Sequence, residues 1–165
     1  MTEAILRTEG LTKRFGGLVA VSDVSLDLHV GEVHVVIGPN GAGKSTLTNL
    51  LSGDLPATSG RVMLDGRDIA GLSSDQISRM GVGRSYQKTN IFLPFTVFEN
   101  ARLAAQSRTP YALRVFSRAE QYEAINALAN SALESAGLAH RAQRVAATLS
   151  HGEQRQLEIA MVLAT

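Results

Sequence analysis

The stretch Gly38-Pro39-Asn40-Gly41-Ala42-Gly43-Lys44-Ser45-Thr46 matches the pattern G-x-x-x-x-G-K-[ST] at every required position. An apolar run at residues 33–37 precedes it, and a run rich in leucine at residues 46–51 follows it. These flanks predict a buried strand before the loop and a helix after it. The alternative is a glycine-rich turn between two core elements. Because the strand–loop–helix context is the one that a phosphate-binding loop requires, the sequence favours nucleotide binding.

The chemistry of phosphate binding accounts for the residue types in this loop. The three glycines allow a tight turn that brings backbone N–H groups close to phosphate oxygens, and the start of the following helix adds partial positive charge. Lys44 would supply an ammonium to the β- and γ-phosphates, and Ser45 a hydroxyl ligand to Mg²⁺. Thr46 would reach the α-phosphate, although a helix-surface threonine is nearly as good an interpretation. The candidate nucleotide-binding residues of the loop are Gly38, Asn40, Gly41, Ala42, Gly43, Lys44, Ser45 and Thr46.

The composition is that of an ordinary globular protein. The chain has 165 residues, 44% hydrophobic and 19% charged, and a formal net charge of +1. Lysine and arginine are scattered, so nothing favours a nucleic-acid partner. The absence of cysteine is compatible with the cytosol. Residues 1–7 lack the features of a signal peptide, and no apolar run approaches the roughly 20 residues that span a bilayer, so any membrane attachment is expected to depend on a partner.

The first third of the chain is expected to form a strand-rich layer. Asp65-Gly66 is a hairpin-turn dipeptide after a strand, and Ser74 is expected to cap a short helix that ends near Gly81. Besides the strand before the loop, strands are expected at residues 18–21, 24–30, 61–64 and 82–86.

The sequence then changes to alanine-rich helices, and three capping boxes mark where helices are expected to begin. They are Thr96-x-x-Glu99, Ser117-x-x-Glu120 and Ser150-x-x-Glu153. The first predicts a helix to about Gln106, and the second a helix that ends at Gly137. In the third, a serine hydroxyl, the following Gly152 and the N–H groups of a helix start could form an anion site, although N-capping serines are common.

In order and spacing, these motifs resemble the nucleotide-binding subunit of ATP-binding-cassette (ABC) transporters along nearly the whole chain. Residues 38–46 match the Walker A loop of that family. Residues 149–154 match its signature sequence, with His151 and Glu153 where the commonest form has glycines. Gln87 takes the place of the Q-loop glutamine, which contacts the metal and the attacking water. Phe15 takes the place of the aromatic residue that stacks on adenine.

Within the superfamily, three stretches are most similar to the ATPases of branched-chain amino acid importers. The first is residues 14–21 and the third is residues 150–159. The second lies within residues 84–100 and comprises Arg84 to Gln87 and Phe95 to Asn100. ATPases of systems that import urea or short amides, or that export lipid, share much of this pattern and remain alternatives. A nucleotide-binding fragment without turnover is another.

The resemblance implies an α/β fold of the P-loop NTPase type, with an antiparallel β layer, an α-helical lobe and an incomplete core sheet. It divides the chain into a nucleotide-binding core at residues 1–91, a helical lobe at residues 92–147, and the signature motif and its helix at residues 148–165. In the family, a strand that ends in Asp-Glu follows the signature helix and supplies a Mg²⁺ ligand and the catalytic glutamate. The sequence stops at Thr165, before such a strand, so we expect residues 1–165 alone to be inactive.

The resemblance also implies the cofactors and partners. ATP and Mg²⁺ are the expected cofactors, with Ser45 and Gln87 contacting the metal. A second ATP-binding subunit, identical or different, would pair head to tail with this one. The ATP bound by the loop of one subunit would then also contact Ser150, Gly152, Glu153 and Gln154 of the other. The other expected partners are transmembrane permease subunits and, indirectly, a substrate-binding protein. Such a subunit lies peripherally on the cytoplasmic face of the inner membrane.

Overall fold

The computed structural model describes residues 4–86, 90–107 and 122–165, and the chain divides into two compact units, the first ending at Val82 and the second beginning at Gly83. The domain boundaries expected near residues 91 and 147 stay predictions. The strands are β1 Leu6–Phe15, β2 Leu18–Leu28, β3 Ser59–Leu64 and β4 Arg67–Asp68. The α-helices are α1 Lys44–Leu51, α2 Ser74–Arg79, α3 Val97–Ser107, α4 Glu123–Ser135 and α5 His151–Ala164. Short 3₁₀ helices lie at Ala139–Arg141 and Ala146–Thr148.

The first unit contains a four-stranded antiparallel sheet in the order β2-β1-β3-β4. In β1, buried Leu6 and Thr8 alternate with exposed side chains, as expected for a strand with one face covered. The Thr8 hydroxyl donates to the Val24 carbonyl oxygen at 2.9 Å, which satisfies a buried polar group. Sequence reasoning did not single out β1 as a strand. It expected two strands where β2 runs continuously, past a positive φ of 51° at Asp23.

The turn between β3 and β4 is the one that the sequence predicts. Asp65 and Gly66 have φ values of +47° and +71°. Positive φ at both central residues is the signature of a type I′ hairpin turn, whose twist matches that of the flanking strands. The prediction at Asp65-Gly66 is therefore confirmed.

Helices α1 and α2 cover the core of the first unit. The N-cap of α2 is Ser73, one residue before the expected Ser74, and its capping box is formed with Gln76. The buried residues of this core include Leu11, Val21, Leu47, Leu50, Val62 and Ile77.

The second unit packs α3, α4 and α5 around a core of leucine, valine and alanine. The capping box at Thr96 is formed, with the Thr96 N–H donating to the Glu99 carboxylate at 2.7 Å. Helix α4 ends as predicted at Gly137, whose φ is +72°. The box expected at Ser117 lies outside the described residues. In the part of the chain that the structure describes, no helix is long and apolar enough to cross a membrane.

Two expected strands are wrong. Residues 33–37 form no strand, and Val33 and Ile37 are 87% and 86% exposed. A strand needs a hydrogen-bonded neighbour, and the described residues supply none for this run. Residues 82–86 form no strand either, and the backbone N–H and C=O of Tyr86 are bound by side chains of α5. The antiparallel β layer and the helical lobe that the sequence predicts are confirmed.

Candidate functional site

Two glycines of the phosphate-binding loop have backbone conformations that residues with a side chain rarely adopt. Gly41 and Gly43 have φ values of +85° and +83°, in the left-handed region. Gly43 is the N-cap of α1, and a Cβ placed on it would lie 2.1 Å from the Ala20 carbonyl oxygen. Glycine at this position therefore lets strand β2 pack directly against the loop.

Lys44, the first residue of α1, folds back over the loop. Its Nζ lies 2.8 Å from the carbonyl oxygens of both Gly38 and Pro39. The Ala42 N–H donates to the Pro39 oxygen at 3.3 Å, which closes the turn. These bonds hold the positive charge of the ammonium beside the backbone of the loop, where an anion would be attracted.

The start of α1 adds further donors. The N–H groups of the first turn of a helix lack partners within the helix and carry partial positive charge. No acidic side chain lies in the first turn of α1, so nothing there opposes an anion. Ser45 is exposed and Thr46 is half-buried. A hydroxyl at Ser45 fits a Mg²⁺ ion that is also held by phosphate oxygens and water.

The surroundings of the loop are open. A cavity of about 230 Å³ lies beside it, lined by Ala20, Val21, Lys44 and their neighbours. Residues 31–42 are all exposed. Enclosed ligand pockets are usually about 300–1,000 Å³, so a nucleotide would lie largely on the surface of this unit.

Phe15 lies at the end of β1, opposite Leu18 of β2. Its ring is 46% exposed, and the Lys13 ammonium lies 5.2 Å from the ring centroid. Ala20, which touches Gly43, is two residues beyond Leu18 on the same strand. A short length of β2 thus connects the exposed ring to the loop, which fits a ring that stacks on a base.

Ser150 is the N-cap of α5, and its capping box is formed. Its backbone N–H and its hydroxyl each lie 2.9 Å from the Glu153 carboxylate. These bonds hold the pKa of the Glu153 carboxyl below its ordinary value, and the Arg141 guanidinium, 3.2 Å away, lowers that pKa further. Gly152 is exposed with no atom near its Cβ position, so the main chain here is open to an approaching ligand. The Gln154 amide lies 3.3 Å from the Leu149 oxygen.

The other predicted site residues are placed less completely. Gln87 lies outside the described residues. The loop belongs to the first unit, and Ser150, Gly152, Glu153 and Gln154 belong to the second, so their shared role stays a prediction. Among the described residues, no group of three or more histidine or acidic side chains could hold a metal ion. Sequence reasoning missed the roles of Ala20 and Lys13, since no local pattern marks a contact between elements.

Comparison with known proteins agrees with this geometry. The family described as ABC transporter matches residues 21–165. Over its full length the chain is 42% identical to the high-affinity branched-chain amino acid transport ATP-binding proteins LivG of Salmonella typhimurium and BraF of Pseudomonas aeruginosa, and it covers 67% of each. The structure of a nucleotide-free ATP-binding cassette from an ABC transporter aligns with 98% of the chain at 34% identity and a TM-score of 0.81. The ADP conformation of the cassette MJ1267 aligns with 99% at 32% identity and a TM-score of 0.82.

In each of these two structures the chain covers 65% of the aligned cassette. It therefore spans about two thirds of the length of the proteins that it matches. The match is continuous across both units, and the P-loop NTPase fold class predicted from the sequence is confirmed. The chain belongs to the ABC transporter family.

Proposed function

We propose that this protein is the ATP-binding subunit of an ABC importer, in which ATP binding and hydrolysis drive the transmembrane transport of a small solute. Branched-chain amino acids are the proposed class of solute. The support for this class is identity of 42% over the whole chain to proteins named for branched-chain amino acid transport. The chain's own residues carry the nucleotide chemistry and leave the solute to other subunits.

The observation that carries the proposal is the geometry of the loop. Gly43 lets the loop pack on β2, Lys44 sets its ammonium over the loop, and α1 begins directly behind it. Such a cradle of N–H groups and one ammonium is complementary to a chain of phosphates. The exposed ring of Phe15 would stack on the base.

In the proposed mechanism, catalysis depends on positioning and charge more than on covalent chemistry. Lys44 would bind the β- and γ-phosphates, and Ser45 would offer its hydroxyl to Mg²⁺, which would supply positive charge against the phosphates. Gln87 would contact the metal and the attacking water, as the family resemblance implies.

The partners follow from the open surface of the loop. A second ATP-binding subunit would cover it, with Ser150, Gly152, Glu153 and Gln154 of each subunit facing the ATP of the other. The second unit would contact permease subunits, which places the protein peripherally on the cytoplasmic face of the membrane. A substrate-binding protein would deliver the solute to those permease subunits.

Replacement of Lys44 by alanine tests the proposal. It removes a charge-assisted phosphate contact worth about 1.5–3 kcal/mol, so the affinity for Mg-ATP should fall about 10–100-fold. Arg67→Ala in β4 removes an equal charge from an exposed strand and serves as the matched control. Calorimetric titration of both variants measures the effect, and uptake of labelled leucine with the permease measures transport. Equal affinities in both variants would refute the assignment of the loop.

A further inference from the structure

Glu158 is a buried charged side chain that the proposed mechanism does not use. It lies on α5 and is only 4% exposed. A buried carboxylate is costly unless it is paired and hydrogen-bonded. Glu158 has both kinds of partner, because its Oε1 accepts the Tyr86 N–H at 3.2 Å and its Oε2 pairs with the Arg155 guanidinium.

Arg155 completes the arrangement on the same helix. Its guanidinium donates to the Tyr86 carbonyl oxygen as well as to the Glu158 carboxylate. Both backbone groups of Tyr86 are therefore bound by an ion pair from one helix. The Arg84 guanidinium carbon lies 4.7 Å from the centroid of the Tyr86 ring, and Tyr86 is 39% exposed.

A third contact shows that residues 83–86 lie alongside α5. A Cβ placed on Gly83 would lie 2.5 Å from Cγ1 of Val162, so the backbone at Gly83 closely approaches α5. Positions 155, 158 and 162 lie on one face of a helix. Residues 83–86 thus run antiparallel to α5, from Val162 towards the end of the helix that begins after Ser150.

We propose that Glu158 and Arg155 are positioning residues that fix the main chain leading into Gln87 onto the helix that carries the signature motif. The inference rests on the proposed function, in which Gln87 contacts metal and water. Because Gln87 directly follows Tyr86, the ion pair determines where the Gln87 main chain begins. The same helix begins after Ser150, so Ser150 and the residue that precedes Gln87 are both attached to α5.

The test compares Glu158→Ala with Glu158→Gln in the protein assembled with its permease. The alanine variant removes the acceptor and leaves the Arg155 guanidinium without its carboxylate, whereas glutamine keeps an oxygen for the Tyr86 N–H. Leu157→Ala is the matched control, because Leu157 is the neighbouring, fully buried residue in the hydrophobic core of the unit. The measurements are kcat and KM for Mg-ATP, the melting temperature, and amide hydrogen exchange at residues 83–86.

We expect Glu158→Ala to lower kcat about 10–100-fold with KM changed less than about threefold, as for a misplaced positioning group. The Tyr86 amide should exchange at least about tenfold faster. Glu158→Gln should retain most of kcat, and Leu157→Ala should lower the melting temperature while keeping kcat.

Two results would overturn the inference. One is an unchanged Tyr86 amide exchange rate in Glu158→Ala. The other is a loss of kcat in Leu157→Ala as large as that in Glu158→Ala, which would mean that stability alone sets turnover. A wild-type protein that binds and hydrolyses no Mg-ATP would instead refute the proposed function, and the amide exchange rate would still decide whether Glu158 holds Tyr86.

Discussion

Gly43→Ala should destabilise the protein more than Gly41→Ala, although the two glycines have nearly the same backbone conformation. Their φ values are +83° and +85°. An alanine in the left-handed region costs about 1–2 kcal/mol, which both variants share. At Gly43 the added methyl group also meets the Ala20 carbonyl oxygen at 2.1 Å, whereas at Gly41 it meets nothing within 4 Å.

The clash sets the size of the difference. Contacts of Cβ with other heavy atoms below 3.0 Å are essentially never seen, so the loop and β2 would have to separate by about 1 Å. Overpacking of this kind typically costs about 1–3 kcal/mol. We therefore expect Gly43→Ala to lower the free energy of unfolding by about 2–5 kcal/mol and Gly41→Ala by about 1–2 kcal/mol.

Urea unfolding of both variants, with equal m-values, gives the two free energies. The difference between them isolates the contact of the loop with β2, because the strain at positive φ cancels. Free energies of unfolding that agree within about 0.5 kcal/mol would show that this contact does not form.

Three further predictions concern the second unit. Asn100 is fully buried and bonded to the main chain of Phe92 and Thr96, so Asn100→Ala should cost about 1–3 kcal/mol in urea unfolding. Bonds from the Thr96 N–H and hydroxyl lower the pKa of Glu99 from its ordinary 4.5. The ionised carboxylate therefore stabilises the folded state above about pH 4.5 and loses that effect as the pH falls through the lowered pKa, so the destabilisation by Glu99→Gln should be nearly constant from about pH 7 to about pH 5 and shrink below about pH 4.5. Ser150→Arg should abolish ATP turnover by the assembled transporter while leaving ATP affinity of the single subunit within about threefold, about 0.7 kcal/mol, by calorimetry.

Local signals explain why some elements could be predicted. A capping box joins residues three positions apart, so the sequence around Thr96 and Ser150 contains the whole interaction. The turn at Asp65-Gly66 is equally local. The family resemblance added the fold class, which no single element could have supplied.

Elements that depend on distant partners could not be predicted in this way. The apolar run at residues 33–37 indicates burial, but it does not specify the strand that must bind its N–H and C=O groups. Strand β1 was missed because its register with β2 shifts between Thr8 and Leu11. The bond between Tyr86 and Glu158 joins residues 72 positions apart, and no periodicity in either segment marks it.

The two hydrogen bonds that hold the Lys44 ammonium also determine the direction in which its remaining N–H can donate. An ammonium has three N–H donors, and two of them are bound to the carbonyl oxygens of Gly38 and Pro39. The tetrahedral geometry of the nitrogen then determines where the third N–H points. A lysine ammonium is ordinarily a mobile point charge. Here the backbone of the loop gives its third N–H bond one preferred axis. The lysine could donate its third N–H to a phosphate oxygen along that axis and keep its two bonds to the loop.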